Sequence, residues 1–177
     1  MAHEGHDHHH HAVHDEHRAE APAHVSVFVV TCSESRDVAH DESGLTARHL
    51  LESSGHQLAG QAIVRDEPEA IRAQLQAARE AGARAVVFTG GTGLGRRDVT
   101  VDTLEALFDK PLPGFGELFR ALSFKDVGSA AWLSRAAAGT YQGMLLFALP
   151  GSPAAVRLAL EKLILPELGH AVRELSR

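Results

Sequence analysis

The chain reads as an α/β protein in three layers, a mainly parallel sheet with helices on both faces. Short apolar, β-branched runs alternate along it with amphipathic helix-forming segments, the pattern of βαβ units. Each run also stops at a glycine, proline or small polar turn that opens into the next helical stretch. Val25–Thr31 (VSVFVVT) is the first buried strand. Leu45–Ser53 follows Ser43-Gly44 as a helix that stops near Gly55, and Gln57–Val64 is a second strand. Glu67–Ala81 holds helix formers throughout, with Ile71 and Leu75 four apart and Gly82 as a stop. Arg84–Thr89 is a third strand, ending in glycine-rich TGGTGLG. Thr100–Phe108 and Phe115–Phe124 predict helices, and Met144–Leu149 (MLLFAL) predicts another continuous apolar strand. Pro153–Leu163, with proline at a first helical position, and Glu167–Leu175 close the chain as helices.

Composition bounds what such a domain does. The 177 residues suit one domain, and 44% hydrophobic residues can fill its core. A formal net charge of -6 argues against nucleic acid as a partner, since no excess of cations is available to release counterions. No apolar run is long enough to span a membrane, and the polar, His-rich start is the reverse of a secretory signal. One cysteine, Cys32, allows no internal disulfide and fits a reducing cytoplasm. Residues 1–24 hold nine of the 13 histidines, including His8, His9, His10 and His11, with five acids and one base. So polar a tail cannot offset the entropy of ordering and reads as disordered, either a native binder of borderline metal ions or an expression tag, ahead of a domain at 25–177.

In an open α/β sheet, ligands gather at the carboxyl ends of the strands. Three such ends carry chemistry here. Thr89, Gly90, Gly91, Thr92 and Gly93 form a loop whose glycines permit close backbone approach, and whose free amides suit a phosphate. The dinucleotide pattern GxGxxG fails at Arg96, and the P-loop pattern fails for want of a lysine. Arg96 and Arg97 follow to neutralise phosphate charge, and Asp98 is placed to hold magnesium; capping the helix near Thr100 is the plainer role for Asp98 or Thr100. Asp66, after the second strand, is either a functional acid or a cap for the helix starting near Glu67. Ser152, in Leu149-Pro150-Gly151-Ser152-Pro153, caps the next helix or holds a second anion there. None of the four histidines outside the tail forms a motif with Ser152, which argues against a serine nucleophile. Cys32 reads better as a small buried hydrophobe than as a nucleophile.

Together TGGTG, RRDVT (Arg96–Thr100), PGFGELFR (Pro113–Arg120), LSR (Leu133–Arg135) and LPGSP (Leu149–Pro153) resemble the MogA/MoaB family of molybdenum cofactor biosynthesis proteins over about residues 25–175. The stretch Gly114–Leu149 is nearer the MoaB branch. The resemblance implies a trimer, or a hexamer of two trimers, that adenylylates molybdopterin with Mg-ATP as co-substrate and releases pyrophosphate. The product then passes to a molybdate-inserting enzyme. Carried over by position, Gly90 to Gly93 cradle the nucleotide, and Asp98 and Asp66 are the catalytic acids, Asp98 with magnesium. Ser152 and Gly151 lie by the pterin phosphate, Ser134 and Arg135 line the same cleft, and Ser33 and Arg36 add contacts. Asp41, Ser43 and Gly44 match a DxSG element. The alternatives are a pterin-binding protein without catalysis and a metal-handling protein that works through its tail.

Overall fold

The computed structural model describes residues 22–34 and 40–177. The histidines at 8–11 and Arg36 lie outside the described residues. Six strands form one mixed sheet, β1 (Ser26–Cys32), β2 (Gln57–Val64), β3 (Ala85–Thr89), β4 (Lys110–Pro111), β5 (Ala137–Tyr141) and β6 (Met144–Leu149), ordered β2-β1-β3-β6-β5-β4. The first four in that order are parallel, while β5 runs antiparallel to β6 and to β4.

The helices are α1 (Glu42–Ser53), α2 (Pro68–Glu80), α3 (Thr100–Glu105), α4 (Pro113–Val127), α5 (Pro153–Ala159) and α6 (Leu165–Leu175), with a 3-10 segment at Gly128–Leu133. Two cores follow from the alternation of side chains along the strands. On one face Val27, Val29, Val87 and Phe147 pack beneath α1, α4, α5 and α6. On the other, Val30, Val86, Phe88 and Leu146 meet Ile71 and Leu75 of α2 and Leu104 of α3. No described helix is long and apolar enough to cross a membrane.

Four departures from the sequence expectation have physical causes. The hairpin partners β4 and β5 were not expected, because Ala137–Tyr141 (AAGTY) is poor in β-branched residues and β4 is two residues long. The expected helix over Thr100–Phe108 stops at Glu105, where the chain turns toward β4. The helix expected over Phe115–Phe124 instead spans Pro113–Val127, starting on a proline that needs no amide partner. The last two expected helices are one continuous run, joined by a wide π turn at Leu160–Ile164. Pro166 lies just beyond, and its missing N–H and bulky ring disfavour a regular turn there.

Candidate functional site

Strand register brings the expected loops to one edge. Thr31 pairs with Thr89 and Thr89 with Leu149, while Cys32 pairs with Val64. The loops after β1, β2, β3 and β6 therefore leave the sheet together. Because β5 is antiparallel, with Ala137 opposite Ala148, the Ser134–Ala136 segment enters the sheet at the same edge.

The floor of this edge is a buried polar network. Asp41 is 1% exposed, and its carboxylate accepts from Thr31 Oγ1 (2.8 Å), Ser43 Oγ (3.2 Å) and Gly44 N (2.9 Å). Ser43 Oγ also meets Thr89 Oγ1 at 3.2 Å. Asp41 thus caps α1 and, with Ser43, ties it to β1 and β3. Ser33 N continues the β1–β2 pairing by donating to Val64 O at 2.9 Å.

The glycine loop sits above that floor. Gly90 and Gly91 have φ of +92° and +63°, a left-handed conformation open to glycine. A Cβ on Gly90 would lie 2.2 Å from Cys32 O, and one on Gly91 would lie 2.1 Å from Asp66 Oδ2. The Gly90 amide is not free, as the nest reading expected, but donates to Leu149 O at 3.0 Å and so holds the loop to β6. The amides of Gly91, Thr92 and Gly93 have no backbone acceptor among the described residues. Thr92 is buried, and Arg96 and Arg97 stand exposed just beyond.

Both predicted acids pack against this loop. Asp66 does not cap α2, whose start carries no side-chain cap. It reaches across to α3 instead, accepting from Thr100 Oγ1 (2.7 Å) and Val99 N (3.1 Å). Burial raises its pKa above the ordinary carboxylate value. The Thr100 and Val99 bonds oppose that rise, and the charges of Asp98 and Glu34 add to it. Asp98 does not cap α3 either. One oxygen accepts from Gly95 N at 2.9 Å, and the carboxylate lies beneath Gly93, where a Cβ would meet Oδ2 at 2.9 Å. Cys32 is buried below, its thiol pushed up to about 12 chiefly by desolvation, which suits a packing role.

The other side of this edge is built from three elements, α4, the 3-10 segment and α5. Ser152 caps α5, its Oγ accepting from Ala155 N at 3.2 Å, so the capping role expected for it is present. Ser134 and Ser152 share a cavity of about 220 Å³ between α4, the 3-10 segment and α5. Ser134 and Arg135 line a second cavity of about 400 Å³ beside Arg120 and Trp132. Ser134 stands between the two, and Arg135 faces only the second. Arg135 also reaches the glycine loop and α3, donating to Gly93 O at 3.5 Å and to Asp102 Oδ1 at 2.5 Å. That bond holds the Asp102 carboxylate below its usual range. Asp102 was not among the expected site residues; its place one helical turn into α3 gave no local signal.

Against known proteins, residues 27–170 match the model of the probable molybdopterin binding domain. This chain belongs to the molybdopterin-binding family. It is 47% identical to the molybdenum cofactor biosynthesis protein B of Bacillus subtilis (strain 168), over 92% of this chain and 96% of that one. A crystal structure of a molybdenum cofactor biosynthesis protein B superposes with a TM-score of 0.85 at 44% identity, covering 89% of this chain and 99% of that one. The tungsten cofactor synthesizing protein MoaB from Pyrococcus furiosus gives 0.81 at 37%, covering 89% and 100%. A MogA structure gives 0.74 at 29%, covering 85% and 99%. Within the molybdopterin-binding family the chain therefore lies nearer MoaB than MogA, as Gly114–Leu149 suggested.

Proposed function

We propose that the protein acts in molybdenum cofactor biosynthesis by adenylylating molybdopterin. The names of its relatives support the pathway, and the site's geometry supports the chemistry. An oxygen of the pterin's terminal phosphate attacks the α-phosphorus of ATP, the bond to the β-phosphate breaks, and pyrophosphate leaves. Such a transfer needs positioning and charge neutralisation rather than a protein nucleophile. The observation that carries this reading is the packing of two carboxylates, Asp66 and Asp98, against one glycine loop at the strand edge that also receives Ser134 and Ser152.

Each residue has a part that its contacts support. The amides of Gly91, Thr92 and Gly93 face the nucleotide phosphates, with Arg97 at their rim. Thr89 and Gly90 anchor the loop. Asp66, with both oxygens engaged, fixes the start of α3 and supports Gly91 from below. Asp98 keeps Oδ1 without a hydrogen bond among the described residues, an acceptor suited to the magnesium of Mg-ATP. The metal supplies neutralisation of the phosphate oxygens. Ser152 and Ser134, with the adjoining Gly151, hold the pterin phosphate, Ser33 adds a contact from the end of β1, and Arg135 lies between the two substrates. We further read the protein as a homo-oligomer, handing its product to a molybdate-inserting enzyme.

Purified protein mixed with molybdopterin, ATP and magnesium tests this directly. Pyrophosphate and adenylylated pterin are expected in equal amounts. Asp98→Asn is expected to lower turnover by at least about a hundredfold, the scale of losing one electrostatic group at a transferring phosphate, while pterin binding is kept. Pterin binding with no pyrophosphate from the wild-type protein would leave a binding protein and remove the transferase.

A further inference from the structure

The 220 Å³ cavity contains more than the two serines already placed at the phosphate. Its walls are mainly apolar, with Phe119, Ala131, Ala155 and Leu158 among them. One ionisable side chain lines it, Asp126, and one further hydroxyl, that of Ser123. Both lie on α4, three residues apart, so they share a face one turn from each other. Ser123 is 8% exposed, yet its hydroxyl has no partner among the described residues. Asp126 likewise makes no ion pair or hydrogen bond among them. The Ser123 oxygen is not sealed off from the cavity, so it stands open to a ligand there as donor or acceptor.

We infer that Ser123 and Asp126 read the aminopyrimidinone edge of the pterin ring, with Asp126 as the residue that sets specificity for the 2-amino group. This rests on the pterin-binding reading above. The edge presents, in order, the O4 acceptor, the N3–H donor and the 2-amino donor. A hydroxyl beside a carboxylate offers one donor and then two acceptors, the complementary order. Charge-assisted bonds from two parallel donors to one carboxylate are both strong and directional. The flat ring then lies on the apolar wall of Phe119 and Leu158, and the phosphate end extends toward Ser152. Asp126 is the one carboxylate among the lining residues, so it is the side chain that offers acceptors alone to the 2-amino group.

The test uses the full chain and two fluorescent probes, 6,7-dimethylpterin and 6,7-dimethyllumazine, which differ in carrying an amino group or an oxygen at position 2. Wild-type protein is expected to bind the pterin at least about tenfold more tightly, since a site built for a donor leaves buried acceptors unpaired with the oxo ring. Asp126→Asn supplies an amide donor there and is expected to remove or invert that preference. Asp126 is exposed on its helix, so an unchanged melting temperature is expected to accompany the change. Ser123→Ala is expected to weaken both probes alike. Equal affinity of the wild type for both rings, no pterin binding at all, or a preference that survives Asp126→Asn would each overturn the inference. Turnover of molybdopterin is read separately. Adenylylation without ring discrimination leaves the transferase standing alone, and ring discrimination without pyrophosphate leaves the ring-reading site standing alone.

Discussion

At the residue scale, Asp66 shows how one side chain joins local structure to chemistry. It is 9% exposed and bonded to the start of a helix more than thirty residues away. Because burial raises its pKa, the native protein holds the Asp66 proton more tightly than the unfolded chain does. Stability therefore falls as pH rises from the ordinary aspartate value, about 3.9, through the raised one. Asp66→Asn has no such proton. Its melting temperature relative to wild type is expected to increase with pH across that interval, whatever its offset at pH 4. Thermal melts of both proteins from pH 4 to 7 check this, and parallel curves would contradict it. The acids and the glycine loop were legible in the sequence because each sits in a short motif after a strand. The partners were not. Thr100 read as a cap for its own helix and Asp102 did not register, since their contacts with Asp66 and Arg135 span more than thirty residues of chain.

At the element scale, the parallel half of the sheet was legible because its strands are buried, β-branched and bounded by turn residues. The β5–β6 hairpin was not, although it has its own signal. Gln142 and Gly143 form a two-residue turn with φ of +46° and +80°, both left-handed, as the twist of tightly joined strands requires. Gln142 bears this conformation while its N–H donates to Asp109 Oδ2 at 2.6 Å. A Cβ on Gly143 would meet nothing within 4 Å, so Gly143→Ala isolates the backbone term from any clash. The expected loss is about 1–2 kcal/mol, the cost of a left-handed L-residue. In a protein of this size that lowers the melting temperature by roughly 2–8 °C. The turn follows the carboxyl end of β5, while Ser134 and Arg135 precede its amino end, so pterin binding is expected to change less than stability. A melting temperature within a degree of wild type would show that the turn is not what holds β5 in place.

For the whole molecule, the distribution of apolar surface bears on assembly. Among the described residues, six of eight large exposed apolar side chains fall between 112 and 133, including Leu118 (57% exposed), Phe124 (61%) and Trp132 (73%). Six such side chains in one stretch of 22 residues are more than scattered surface apolarity, and that stretch is the expected place for a contact between copies. Strand addition is a poor way to cover it, because edge strand β4 has two residues and one of them is Pro111, which lacks the amide for a ladder bond. Side chains of α4 and the 3-10 segment are left to make such a contact, and a homo-oligomer is the expected outcome. Light scattering is expected to give a mass that is a multiple of the 19.0 kDa chain. Leu118→Glu with Trp132→Glu is expected to yield monomers with an unchanged circular dichroism spectrum, since neither side chain belongs to either core. The sequence shows only part of this stretch: Phe115, Phe119, Leu122 and Phe124 cluster within one predicted helix, and packing divides them, with Phe119 at 2% exposure in the core and Phe124 outside. A wild-type mass of one chain would assign the patch to a different partner, and an oligomer that survives both glutamates would move the subunit contact elsewhere on the fold.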